Sequence, residues 1–121
     1  MMGLSEIRWK IDEARLEWNV EIYDGEAMIG ECQSWGIPPE FETCAGYNEW
    51  MEIEWLGVEE PYRRKGLAWR MMQEQFRYHA MGGKRHCFVY TATDNLPTIK
   101  LNNRMGFTTQ VEVWGWTWKP D

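Results

Sequence analysis

The sequence predicts an α+β (mixed α/β) chain, a mostly antiparallel sheet with two helices. Three observations carry this. Apolar residues alternate with polar ones through most of the first half. A Gly- and Pro-free stretch rich in Met, Gln, Arg and Ala then runs to about Met81. A short apolar run, a capped segment and a last alternating run follow it. The order is four strands, helix, strand, helix, strand, with a crossover that makes two strands parallel.

Ile7, Trp9 and Ile11 form the first alternation. Leu16, Trp18, Val20 and Ile22 form the second, with Glu17, Asn19 and Glu21 between them. A period of two is that of a half-buried strand. Asp24-Gly25 then signals a hairpin. A third strand is expected over Glu26 to Trp35 and a loop over 36–46, where Pro38, Pro39 and Gly46 fall. A long fourth strand is expected over Tyr47 to Val58. Pro61 ends it, and a helix follows from Gly66 to about Met81, closed by Gly82 and Gly83. His86 to Thr91 reads as a buried strand. Asp94 or Asn95 caps a second helix with Pro97 in its first turn and Gly106 at its end. Phe107 to about Trp118 reads as the last strand.

The 121 residues are of one-domain length, and their 44% hydrophobic content excludes a disordered chain. No apolar run is long enough for a membrane span and no signal peptide is evident, so no membrane partner is expected. Cys32, Cys44 and Cys87 lack metal-ligand spacing, which argues against a disulfide framework or a metal site. Reduced thiols suit a cytoplasmic protein. The net charge of −6 is unevenly spread: residues 1–60 carry 3 basic and 15 acidic side chains, residues 61–121 carry 10 and 4. That balance disfavours nucleic acid as a partner. It allows an anion on the second half and a cation on the first.

The anion has a candidate seat. Leu56, Gly57 and Val58 end an apolar strand; a basic loop, Arg63, Arg64 and Lys65, follows; a helix opens at Gly66, Leu67 and Ala68. A helix N-terminus offers unpaired N–H groups and partial positive charge, which favour phosphate. Gly66 lets backbone approach a ligand and Ala68 leaves the first turn uncrowded. Neither a Walker loop nor a dinucleotide fingerprint is present. A solvated basic turn is the ordinary alternative.

Arg63 to Ala68, following Val58, resembles the Arg/Gln-x-x-Gly-x-Gly/Ala signature of the GNAT-type N-acetyltransferases. A second block, Asn95 to Phe107, is similar to that family's Asn-x-x-Ala-x-x-Leu-Tyr-x-Lys-x-Gly-Phe stretch at Asn95, Leu101, Arg104, Gly106 and Phe107. The resemblance spans 47–118. It implies a single short GNAT-like domain with that acetyl-CoA-binding core and divergent N-terminal strands over 1–46. The family's two N-terminal helices are replaced here by a strand meander. It implies acetyl-CoA as cosubstrate, with pyrophosphate on Arg63, Arg64, Lys65, Gly66, Leu67 and Ala68. The pantetheine arm would lie beside Leu56, Gly57 and Val58 and meet Asn95. The Val58 N–H would meet the thioester oxygen, where charge develops during acyl transfer. The family often has Tyr at the position of Asn102, as an acid for the departing thiolate. An amide cannot be that acid, although it can hydrogen-bond the sulfur.

The acceptor implied is a small amine or peptide amine, which must lose a proton before it attacks. Glu52 and Glu54, two residues apart on the fourth strand and so expected on one side of it, are the candidate bases. A wet strand face is their plain alternative. Glu17, Glu21 and Glu49 add negative potential. His79 and His86 read as structural or surface residues, and Tyr62 and Tyr90 as packing residues. Trp9, Trp18, Trp35, Trp50 and Trp55, with Trp114, Trp116 and Trp118 on the last strand, suit packing or a homodimer through Trp-rich strands. The rival readings are a non-catalytic CoA-binding module and an assembly module of the same fold.

Overall fold

The computed structural model describes residues 6–37, 43, 45–92 and 94–108. The expected last strand and its three tryptophans, like Cys44, lie outside them. Contacts divide the chain into a unit of residues 1–91 and a unit of residues 92–121.

The first unit is a five-stranded sheet in the order β1-β2-β3-β4-β5: β1 Glu6–Asp12, β2 Glu17–Asp24, β3 Ala27–Gly36, β4 Trp50–Val58 and β5 His86–Val89. The first three ladders are antiparallel; β4 and β5 are parallel, joined by the helix α1, Leu67–Met81. The strand meander expected over the N-terminal residues is present where the structure describes them.

β5 stops at Val89 rather than Thr91 and is at most half-buried, not the buried strand expected. Three other boundaries moved for local reasons. Leu16 is not in a strand but sits at φ 55, closing a 3-10 turn over Glu13–Arg15. Asp12 begins that turn, its carboxylate accepting from the Arg15 N–H at 3.2 Å. The β2–β3 hairpin turns on Gly25-Glu26, with Asp24 paired to Ala27; positive φ at Gly25 alone is the type II′ pattern. Tyr47–Glu49 form a 3-10 turn, so β4 starts at Trp50.

One face of the sheet is apolar. Trp18, Val20 and Ile22 from β2, Cys32 from β3 and Met51 and Ile53 from β4 are buried against Leu67, Met71 and Met72 of α1. Buried α1 positions 67, 71, 72, 75 and 79 form one stripe, as a helix lying on a sheet requires. The stripe is polar at its far end. Gln75 Nε2 donates to the carbonyls of Trp18 at 2.9 Å and Cys32 at 2.8 Å. Ser34 Oγ donates to Gln75 Oε1 and lies 2.9 Å from His79 Nε2. His79 packs at right angles on Trp18, centroids 4.9 Å apart. Burial above all, with Lys84 adding to it, pulls its pKa down to about 4.

The second unit contains α2, Leu96–Arg104. Asn95 caps it, its side chain accepting from the Thr98 N–H at 3.4 Å, and Pro97 occupies the first turn. Gly106, at φ 95, follows the helix end. Asn102 is buried, and its carbonyl accepts from the Phe107 N–H at 3.0 Å.

Candidate functional site

The site is built from the second half of β4. The β4–β5 ladder runs from Trp50↔His86 to Ile53↔Val89 and stops, while β4 continues to Val58. From Glu54 onward no strand among the described residues pairs with that edge. Gln33 pairs with Trp55 but Ser34 with Ile53, so Glu54 is an extra, unpaired residue, a β-bulge. The sequence carries a trace of it: the buried residues are Met51 and Ile53 before the bulge, whereas Leu56 and Val58 after it are in the other phase.

Hydrogen-bond alternation fixes what the open edge offers. The Glu59 N–H donates to the Ile29 carbonyl at 2.8 Å. Since antiparallel pairs alternate between bonded and non-bonded, Gly57 and Trp55 bond β3, while Leu56 and Val58 turn their N–H and C=O groups to the open edge. An extended, amide-bearing ligand can add there as a strand would.

The loop after β4 carries the candidate anion seat. Arg64 has φ +64 and Gly66 φ +79, with Lys65 at negative φ between them. Such alternation turns successive N–H groups toward one side, forming a nest for anions. Gly66 caps α1 and, lacking a side chain, makes no side-chain cap hydrogen bond to the first turn. Arg63, Arg64 and Lys65 are exposed around this nest, and Leu67, buried, anchors the helix start to the core. Positive φ at Arg64 was not foreseen. Arginine has no preference for it, and a strained residue of this kind costs about 1–2 kcal/mol.

Two bonds hold the loop. Tyr62 donates its hydroxyl to Asp24 Oδ2 at 2.7 Å, tying the loop to the β2–β3 hairpin, and this bond pushes the Tyr62 pKa up. Arg63 Nε donates to the Val58 carbonyl at 2.8 Å. Sequence reading placed Tyr62 only as a packing residue; its partner lies 38 positions away and leaves no local signal.

The carboxylates lie on the sheet face opposite α1. Trp35 pairs with Glu17 on one side and Glu52 on the other. Glu21 stands directly across from Glu31. Glu52 is half-buried; desolvation first, and the charge of Glu54 second, raise its pKa. The bulge at Glu54 interrupts the alternation, so two-residue spacing does not itself put both glutamates on one side; their link is electrostatic. Glu54 is exposed. The other two candidates, Asn95 and Asn102, belong to the second unit, Asn95 as a cap and Asn102 buried.

The described residues thus combine a βαβ crossover, a strand edge left open beyond Ile53 and a basic loop with alternating φ. Residues 3–107 match the acetyltransferase (GNAT) family. The chain belongs to that family and is an enzyme of its acyl-CoA-dependent N-acyltransferase class. Solved structures of the same fold include AAC(6')-Iy with a CoA–aminoglycoside bisubstrate analogue, at TM-score 0.73 and 17% identity over 89% of this chain and 73% of that one. An aminoglycoside acetyltransferase from an uncultured soil metagenomic sample aligns at TM-score 0.69 and 13% identity, over 88% of this chain and 67% of that one. The PaiA N-acetyltransferase of Thermoplasma acidophilum, in complex with coenzyme A, aligns at 0.67 and 15%, over 78% and 53%. No curated protein matches the sequence.

Proposed function

We propose that this enzyme moves an acetyl group from acetyl-CoA to a primary amine by direct attack on the thioester. The observation that carries the reading is the open edge of β4 running into the Arg64–Gly66 nest. Pyrophosphate is held by the loop of Arg63, Arg64 and Lys65 and the helix start at Gly66, Leu67 and Ala68. The arm lies along Leu56, Gly57 and Val58, with Asn95 contacting it. The amine nitrogen forms the new bond to the carbonyl carbon as the carbon–sulfur bond breaks. Its proton passes to Glu52 directly or through water, with Glu54 the other candidate base. The Val58 N–H receives the charge developing on oxygen. Asn102 hydrogen-bonds the departing sulfur.

The acceptor is a cationic amine. Glu21 facing Glu31 is a like-charge pair that costs stability, about 0.2–1 kcal/mol, and it adds negative potential beside Glu17 and Glu52. The aminoglycoside ligands of two neighbours are of this chemical kind. A cytoplasmic setting agrees with the unpaired Cys32 and Cys87, and a homodimer through Trp-rich strands with the exposed Trp35 and Trp55. The domain plan is a single short domain, with divergent N-terminal strands over 1–46 and an acetyl-CoA-binding core over 47–118.

An amide at Asn102 supports a second reading, a CoA-binding module without turnover. Calorimetric titration with acetyl-CoA tests the first part: Gly66→Glu should abolish binding, and unchanged binding sinks the site. CoA release with a panel of di- and polyamines separates the two readings.

A further inference from the structure

Arg63 differs from its basic neighbours in making a bond inside the site. Its Nε–H donates to the Val58 carbonyl at 2.8 Å, closing a loop over the 3-10 turn Glu60–Tyr62. That turn is stiff: Pro61 fixes one φ, the Arg63 N–H donates to the Glu60 carbonyl at 3.2 Å, and Tyr62 is held by Asp24.

Val58 is the last residue of β4 and, by the alternation above, makes no ladder bond to β3. Among the described residues, no other bond on the open edge holds its carbonyl. We infer that Arg63 is a positioning residue, whose Nε–H pins the Val58 carbonyl and thereby sets the Val58 N–H for a thioester oxygen. The bond takes one of the two lone pairs of that carbonyl and leaves the Val58 N–H as the donor of this position, which suits an acceptor such as a thioester carbonyl. Of Arg63's five donors, only those on its Nη atoms remain for phosphate.

This inference rests on the proposed acetyl-CoA reading and is tested separately from it. In Gln the Nε2 is bonded to Cδ, as Nε is in Arg, so Arg63→Gln keeps an N–H at the same reach. Arg63→Met places a methyl there. Both remove the charge, and Arg63 is exposed, so neither threatens the fold. The probe is acetyl-CoA labelled with 13C at the carbonyl, read by infrared difference spectroscopy, with affinity by calorimetry. Both variants should weaken acetyl-CoA binding about two- to fivefold, the value of a surface charge contact. The carbonyl band should stay at its wild-type frequency in Arg63→Gln and move up, toward its position in an apolar solvent, in Arg63→Met. Identical bands in the two variants overturn the inference and leave Arg63 as a charge for phosphate. Wild-type protein that binds no acetyl-CoA overturns the acetyl-CoA reading and the inference with it.

Discussion

Acidification from pH 7 to pH 4.5 should cost the fold about 2.5 kcal/mol through His79 alone. His79 is 3% exposed, and its pKa falls from 6.5 to about 4 on folding. A base whose pKa is depressed in the fold loses its contribution as pH falls through the unfolded value, because only the unfolded chain then takes the proton. The loss stops once the folded form also protonates, near pH 4. Two pH units lie between 6.5 and 4.5, at about 1.4 kcal/mol each; partial protonation of the folded form at pH 4.5 and of the unfolded form at pH 7 trims the product to the figure given. For 121 residues the unfolding entropy is about 250 cal/mol/K, so the midpoint falls about 10 °C. Carboxylates titrate in the same range, so the assay compares thermal unfolding of the wild type with His79→Gln at both pH values. Gln holds a donor and an acceptor near the position of His79 Nε2, within reach of Ser34 and Gln75, but does not titrate. The wild type should lose about 10 °C more than the variant over this span. Equal losses refute the argument, and would mean that the site admits the proton without opening.

Three further substitutions probe the site. Gly66→Ala should lower the midpoint by about 4–8 °C, because φ +79 costs an L-residue about 1–2 kcal/mol, while a Cβ there meets nothing within 4 Å; a neutral result would place the constraint elsewhere. Arg64→Gly should act oppositely on stability and binding: relief of the φ +64 strain raises the midpoint by about 4 °C, and loss of charge weakens acetyl-CoA binding about two- to fivefold. Glu52→Gln should leave acetyl-CoA binding intact and cut turnover at least about 100-fold, the lower range for a lost general base. Because burial and Glu54 raise the Glu52 pKa, its charged form is disfavoured in the fold and its contribution falls as pH rises through the folded pKa, so the same variant should melt slightly higher at pH 8. Undiminished turnover would move the role to Glu54 or to water.

The elements were legible where side-chain period and burial coincide. β2 and β3 bury one face and β1 half-buries Ile7 and Trp9, so each alternates, and α1 carries its buried residues on one stripe. Leu16 was misplaced because it continues the apolar alternation of β2; the turn is set by Asp12 bonding the Arg15 amide, and a short-range side-chain bond of that kind outranks period. Residue identity likewise announced Gly66 and the basic run. It did not announce φ +64 at Arg64, since that angle follows from the geometry of joining Val58 to α1 rather than from any preference of arginine.

The two parts of the candidate site differ in legibility for the same reason. The phosphate side is nearly contiguous, from Leu56 to Ala68, so its chemistry can be read along the chain. The acceptor side is assembled across strands: Glu17 meets Glu52 only through Trp35, and Glu21 meets Glu31 ten residues later along a hairpin. Spacing on one strand says little about such a face, and the bulge at Glu54 removes even that. The consequence is directional. With the β5-side edge of β4 open beyond Ile53 among the described residues, and the Val58 carbonyl held by Arg63, the proposed donor edge has a defined register, while the carboxylates form a broad negative surface without a comparable one. Selectivity for the acyl donor is therefore expected to be set by backbone geometry, and selectivity for the amine by charge. Raising salt should weaken the amine, through its Michaelis constant, more steeply than it weakens the acetyl-CoA arm contacts.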